Sequence, residues 1–305
     1  LKKWGEELTY ERLIRFIRTY QPDIVMPSFR NVDSQHGHHR TISILTEKAF
    51  IDAADSTIFP EQLAEGLKTW QTEKLYLPAA SESTATLSLE VGDYDPIYEM
   101  SYPQLGEASR FLHKSQGMGS IIPVKPRQFH LELSKTAFNS VEDKDIFTGI
   151  PYDFSAWASV VQGKESNLAK NLQKLHQHLE ETQAAYPNNE NVLKLSQKSF
   201  NQVQKLITEV THSSLEEKVK TKLLSKLETK KIQIQEVSNV AADVEVVASL
   251  TDYVLTKGEK TSATFTITNN GSTVLKSINP TIKADEGWKI KRTTKLSTLK
   301  PGETV

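Results

Sequence analysis

Cysteine is absent from this chain of 305 residues. Its absence excludes disulfide bonds, thiolate metal ligands and cysteine nucleophiles, and it is compatible with an oxidising compartment outside the cell. Long apolar runs are absent as well, since no stretch approaches the ~18 consecutive apolar residues of a membrane-spanning helix. No signal peptide opens the chain, although the loss of an upstream segment would remove such a peptide.

Neither sign of charge dominates the chain, because its 37 basic and 38 acidic residues are interleaved along its length. A phosphate-binding stripe and a polybasic membrane patch both need a local excess of lysine and arginine. We therefore expect no nucleic-acid partner and no transmembrane segment. Substrates should be neutral, or recognised by local contacts.

Three zones follow one another along the chain, although length alone predicts two domains. Residues 1–150 alternate helical and strand patterns, which predicts an α/β fold with an incomplete, Rossmann-like open sheet. Residues 151–240 carry leucines at helical spacing with few breakers, and this predicts a helical spacer. Residues 241–305 change to a period of two, which predicts a partial Ig-like β-sandwich.

Residues 34–40 are the most informative stretch, because they hold three of the eight histidines, His36, His38 and His39. They follow the apolar run 21–29, which we predict to be a buried central strand. Helical spacing begins near His38. Because ligands of open α/β sheets bind beyond the carboxyl ends of the strands, the sequence predicts a functional crevice at these histidines.

Clustered histidines are typical of metal sites. Neutral imidazole is the commonest protein ligand of zinc, and catalytic zinc usually takes three protein ligands and leaves one position for water. His36 and His39 are three residues apart, which makes them neighbours if both lie on a helix. The alternative is a solvated histidine-rich turn in which His38 packs with Ile42 and Leu45. Spacing alone leaves both interpretations open.

A longer stretch, residues 22–119, resembles the PIG-L/LmbE-like family of zinc-dependent N-acetylglucosaminyl deacetylases. One signature of that family is an H-x-x-H block at the start of a helix after a central strand, and here the block runs from His36 to His39. A second block, residues 102–119, is similar to the later helix of the family, which ends in H-x-S-Q. The two blocks occur in the family's order.

The resemblance implies a role for each matching residue. His39 becomes a Zn²⁺ ligand, and His36 stabilises the oxyanion of the tetrahedral intermediate. His113, Ser115 and Gln116 are placed near the substrate, an N-acetylated sugar. The family often has Asp where this chain has His38, and a carboxylate there can orient the neighbouring imidazole. His38 is expected beside His36, but a second imidazole does not hold positive charge on His36 as a carboxylate does.

The first signature of the family, a His-Pro-Asp-Asp-type block, has no counterpart here. In the family it supplies two further metal ligands and the general base. The first histidine of this chain is His36, and only Asp23 and Asp33 precede it. The chain begins with Leu1 and stops in what reads as the middle of a β module. We therefore expect a fragment of a longer enzyme, inactive alone, that binds zinc weakly.

The last zone resembles the Ig-like modules appended to secreted carbohydrate-active enzymes. Residues 264–268 and 273–278 predict two strands joined by an Asn-Gly turn. Trp288 is expected in the core of the sandwich, with sugar contact as the alternative. These features predict an extracellular or cell-envelope location, with the cytoplasm not excluded, and glycan contact through the module. The alternative to the hydrolase is a non-catalytic carbohydrate-binding or cell-envelope interaction protein.

Overall fold

The computed structural model describes residue 3 and residues 5–139, 142–282, 284–291 and 296–305. It divides the chain into two compact units, Leu1–Ile150 and Pro151–Val305. Helices and small mixed sheets coexist, in agreement with the α/β class expected from the sequence. Within the described residues, no helix is long and apolar enough to cross a membrane.

The first unit alternates helices and strands. Its elements in chain order are α1 (Glu6–Tyr20), β1 (Ile24–Val25), α2 (Gly37–Asp52), α3 (Pro60–Ala64), β2 (Lys74–Pro78), β3 (Leu87–Glu90), β4 (Tyr94–Asp95), β5 (Met100–Ser101), α4 (Tyr102–Arg110) and β6 (Gln128–Thr136). Strands β4 and β5 form a separate two-stranded ladder.

The main sheet has the strand order β1-β2-β6-β3. Strands β1 and β2 are parallel, with α2 and α3 in the connection between them, whereas β6 pairs antiparallel with β2 and β3. The prediction of a buried central strand at residues 21–29 is therefore wrong. Strand β1 is a half-buried edge strand of two residues, and the side chain of Met26 beyond it is 41% exposed. The apolar residues of this run suggested a central strand. Whether a strand lies at the centre or at the edge of a sheet depends on its pairing with distant residues, which the run itself does not encode.

The helical side of the first unit packs around the contact between α1 and α2. Ile14 and Ile17 of α1 are buried against Leu45 and Ala49 of α2, and Trp70 completes this core. Of the residues whose helical spacing predicted α2, Leu45 and Ala49 lie on its buried face, whereas Ile42 is 38% exposed. The face of α2 that includes Phe50 also packs on Leu75 and Leu77 of β2.

Lys74, the first residue of β2, is buried together with two polar partners. Its Nζ atom lies 2.6 Å from Oδ1 of Asp143 and 3.4 Å from the hydroxyl of Tyr76. The Tyr76 hydroxyl donates to the other oxygen of Asp143 at 2.5 Å. Both charged side chains are fully buried, so each supplies the partner that the other needs.

The second unit begins with four helices that pack in chain order. They are α5 (Phe154–Val161), α6 (Ser166–Ala184), α7 (Asn189–Thr211) and α8 (Glu217–Ala242). Their apolar faces form one core, in which Leu172, Leu206, Leu223 and Leu227 are completely buried. The helical pattern predicted for residues 151–240 is therefore present, and α5 is the first of its helices.

Four strands follow, namely β7 (Val244–Leu250), β8 (Ala263–Asn269), β9 (Leu275–Lys276) and β10 (Thr298–Leu299). Strands β7 and β8 pair antiparallel over seven residues each, and β9 pairs with β10. Residues 302–305 bond to the end of β8 on its other side, through Gly302 to Asn269 and Val305 to Ile267.

The predicted hairpin between residues 264–268 and 273–278 is wrong, since β9 pairs with β10 and not with β8. A two-residue hairpin of type I′ needs positive φ at both central residues, and neither Asn270 nor Gly271 has it. The buried Asn269 amide instead donates to the carbonyls of Thr273 and Leu299 and turns the chain away from β8.

Trp288 is not the core residue that the sequence predicted. Its side chain is 56% exposed, directly after a turn in which its amide donates to the carbonyl of Asp285. No strand is described for residues 284–291. Side chains alternate between the two faces of a sheet only along a paired strand, so no strand geometry places this indole in a core.

Candidate functional site

His36, His38 and His39 converge at the beginning of α2. His36 is the N-cap residue in extended conformation, and the helix starts at Gly37, within the range expected from the sequence. One ring nitrogen of each histidine lies within 4.8 Å of the others. Within the described part of the chain, this is the one place where three histidine or carboxylate donors meet in this way.

The three rings lie against one another. The centroid of the His39 ring is 4.0 Å from that of His38 and 5.6 Å from that of His36. His36 and His38 are exposed, whereas His39 is half-buried. Partial burial, followed by the charges of His38 and His36, holds the pKa of His39 below its ordinary value of 6.5. His39 is therefore neutral at neutral pH, which is the form that binds a metal.

The residues present fit a divalent zinc ion by donor type. Zinc–imidazole bonds are about 2.0–2.1 Å long, so the nitrogens around one tetrahedral ion lie about 3.3 Å apart. The ring nitrogens of the three histidines lie within 4.8 Å of one another, so binding of one ion requires them to move up to about 1.5 Å closer together. The group of three contains no carboxylate.

The loop before α2 surrounds His39. The ring of Phe29 stacks on the ring of His39 at 3.8 Å with an interplanar angle of 10°. The side-chain oxygen of Gln35 lies 3.2 Å from Nδ1 of His39. The sequence pattern predicts Phe29 at the end of a buried strand and gives Gln35 no role. The position of Gln35 four residues before His39 was the available indication.

Two arginines fix this loop. Arg30 donates to the carbonyl of Pro78 at 3.0 Å and to the carboxylate of Glu132 at 2.6 Å, which attaches the loop to the end of β2 and to the middle of β6. Arg40, in the first turn of α2, donates to Asn31 at 2.9 Å and pairs with Asp33 at 3.1 Å.

His113, Ser115 and Gln116 lie in a short turn after α4. The turn is exposed, and Nδ1 of His113 lies 3.3 Å from the carbonyl of Arg110 in the preceding helix. The nearby hollow of about 450 Å³ is lined by Gln104, Glu107, Ala108, Phe111 and residues 119–122. Its lining contains neither these three predicted substrate residues nor the histidines of α2. One shared concavity for both groups therefore stays a prediction.

Gly119 closes the turn against α4. It has a φ of +90°, and a Cβ atom there would lie 2.6 Å from the backbone of Phe111. Only glycine permits both the conformation and the close approach. The chain can thus return along α4, where the side chain of Gln104 donates to the carbonyl of Ile122 at 2.9 Å.

The end of the second unit is similar to a known domain family. Residues 255–305 match the NPCBM-associated, NEW3 domain of alpha-galactosidase. This carbohydrate-associated segment includes β8, β9 and β10 and leaves the histidines of α2 outside the match. No curated protein matches the chain. The sequence-based expectation of a carbohydrate-related module is supported at this level.

Proposed function

We propose that this chain is part of a metal-dependent hydrolase that removes the acetyl group from an N-acetylglucosamine-containing glycan or glycoside. The observation that carries the proposal is the convergence of three imidazoles at the start of α2. The same chain ends in a segment similar to a carbohydrate-associated domain, which favours a sugar as the substrate. The resemblance of the two sequence blocks to the PIG-L/LmbE-like family supports the same reaction.

In this proposal His39 is the metal ligand that the chain contributes. Zinc supplies Lewis-acid activation of the water and of the acetamide carbonyl. His36 holds a proton on a ring nitrogen and donates a hydrogen bond to the carbonyl oxygen as that oxygen gains negative charge. His38 is the neighbour of both rings, and His113, Ser115 and Gln116 contact the sugar. Hydrolysis consumes one water and yields acetate and the free amine.

The proposed function also assigns a family to each end of the chain. The first unit represents the later part of a Rossmann-like deacetylase domain, and the last zone represents an Ig-like module. In the family that the chain resembles, a His-Pro-Asp-Asp-type block supplies the remaining ligands and the general base. Such an enzyme would act outside the cell or in its envelope, where the module holds it near glycans.

A second candidate is a carbohydrate-binding protein without catalysis. The match of residues 255–305 to a carbohydrate-associated domain favours it directly. His38 favours it as well, because an imidazole in place of the family's aspartate cannot hold a positive charge on His36 as a carboxylate would.

Acetate release from N-acetylglucosamine oligosaccharides tests the proposal in the protein that carries the upstream block. We expect His39→Ala to abolish zinc binding and acetate release. We expect His36→Ala to keep the metal and to lower kcat about 10²- to 10³-fold, the typical cost of losing an oxyanion donor. Residues 1–305 alone should release no acetate.

His212→Ala is the matched control, because His212 is an exposed histidine at the end of α7 in the other unit. It should retain full activity. Acetate release that survives His39→Ala would refute the proposed ligand. Glycan retention in affinity electrophoresis without acetate release would favour the second candidate.

A further inference from the structure

The half-buried ring of His39 is held on one face and at one edge. Phe29 covers the face with a nearly parallel ring at 3.8 Å. Gln35 meets the edge, where its Oε1 atom lies 3.2 Å from Nδ1. His36 and His38, the other two histidines of the group, are exposed.

The hydrogen bond to Gln35 selects one tautomer of His39. A carboxamide oxygen accepts and cannot donate, so Nδ1 must carry the proton. A neutral imidazole has one protonated nitrogen, which leaves the lone pair on Nε2. Metal-binding histidines commonly donate their other N–H to a neighbouring acceptor, and that contact fixes both the tautomer and the ring orientation.

The loop that carries both contacts is held to the strands and to α2 by two arginines. Arg30, the residue after Phe29, is bonded to the carbonyl of Pro78 and to Glu132. Arg40, the residue after His39, is bonded to Asn31 and Asp33 in the same loop. The backbone amide of Gln35 also donates to the carbonyl of Val32 at 3.0 Å. The ring of His39 and its two neighbours therefore belong to one cross-linked segment.

We propose that Gln35 and Phe29 are positioning residues that present Nε2 of His39 as the metal-binding atom. This inference rests on the proposed function and adds the ring nitrogen that binds and the side chains that select it. Gln35 acts through the proton on Nδ1, and Phe29 acts by keeping the ring plane in place.

Nitrogen-15 NMR of the histidine side chains tests this inference on residues 1–305, first without metal and then during titration with Zn²⁺. We expect the metal-free His39 to show protonated Nδ1, and we expect added zinc to shift Nε2. Gln35→Leu should mix the two tautomers and weaken the zinc response of His39 about 10- to 100-fold, the usual cost of losing such a partner. Gln35→Glu retains an acceptor and should restore the wild-type tautomer.

Gln177→Leu is the control, because Gln177 is an exposed glutamine on α6 of the other unit and its change should leave His39 unaffected. Phe29→Leu should weaken the zinc response while Nδ1 stays protonated. Zinc that shifts Nδ1, or a Gln35→Leu protein with wild-type tautomer and zinc response, would overturn the inference. If these NMR results are as expected but the protein with the upstream block releases no acetate, the proposed function fails and the positioning role stands.

Discussion

Single buried hydroxyls link the stability of this protein to pH. The hydroxyl of Tyr10 on α1 donates to the carboxylate of Asp52 at the end of α2 at 2.8 Å. Burial, followed by the hydrogen bond and the negative charge of Asp52, raises the pKa of Tyr10 far above its ordinary value of 10.0. The pKa of Tyr76 is raised in the same way, by burial and then by Asp143. Both tyrosines thus keep their protons in the folded protein at pH values where unfolded tyrosine loses them.

We expect the free energy of unfolding to fall as the pH rises above about 10, because the unfolded chain then binds fewer protons than the folded one. The contribution of a raised tyrosine pKa is complete below pH 10 and is lost through the alkaline range. Tyr10→Phe removes one of the two groups and should flatten this dependence. Urea denaturation at several pH values from 8 to 11.5 measures the slope. Tyr20→Phe, at an exposed position, is the control, and an unchanged slope in Tyr10→Phe would contradict the assignment.

At the scale of elements, β2 is joined to the segment after β6 by a buried ion pair. Lys74 and Asp143 are far apart in sequence, yet their side chains are fully buried and 2.6 Å apart. Desolvation of two charges offsets much of their attraction, so the pair adds little net stability. Removing one member is strongly destabilising, because the other side chain is then left buried and charged without its partner.

Lys74→Met should therefore lower the free energy of unfolding by ~3–5 kcal/mol. The double variant Lys74→Met/Asp143→Asn should lose clearly less than the sum of the two single variants, since no charge is then left alone. Urea denaturation of all four proteins gives the coupling. The exposed pair Lys164 and Glu216 is the matched control, and Lys164→Met should cost no more than ~1 kcal/mol. Additive losses at Lys74 and Asp143 would show that the two side chains are not coupled.

At the scale of the whole molecule, the chain consists of two compact units with separate apolar cores. The core of the second unit is formed by the helices α5–α8, and Leu206 lies completely buried within it. The core of the first unit lies between α1 and α2, with a smaller group between α2 and β2. Each core is formed by residues of one unit.

Leu206→Ala should destabilise the second unit by ~2–5 kcal/mol through the cavity that it leaves. Amide hydrogen exchange resolves the two units, so we expect faster exchange in α6–α8 and unchanged exchange in β2 and β6. Val240→Ala is the control, because Val240 is largely exposed on α8. Equal acceleration in both units would show that they unfold together.

The sequence predicted those features that depend on neighbours within a few residues. Leu45 and Ala49 repeat at helical spacing, and the start of α2 was expected near His38 for that reason. The edge position of β1 and the pairing of Lys74 with Asp143 depend on distant segments, and no local pattern encodes them. At the candidate site, the histidines were visible as a cluster. The contacts of Phe29 and Gln35 with His39 needed the folded path of the loop.

The junction between α8 and β7 is a single residue, Asp243, in the left-handed conformation with φ of 51°. The amide of Asn270 donates to its carbonyl at 2.9 Å, and Gly271 lies so close to the carbonyl of Ala242 that no side chain fits between them. The backbone at this junction is therefore tightly packed. We expect a mechanical force applied to β7 to be transmitted directly to the backbone of α8.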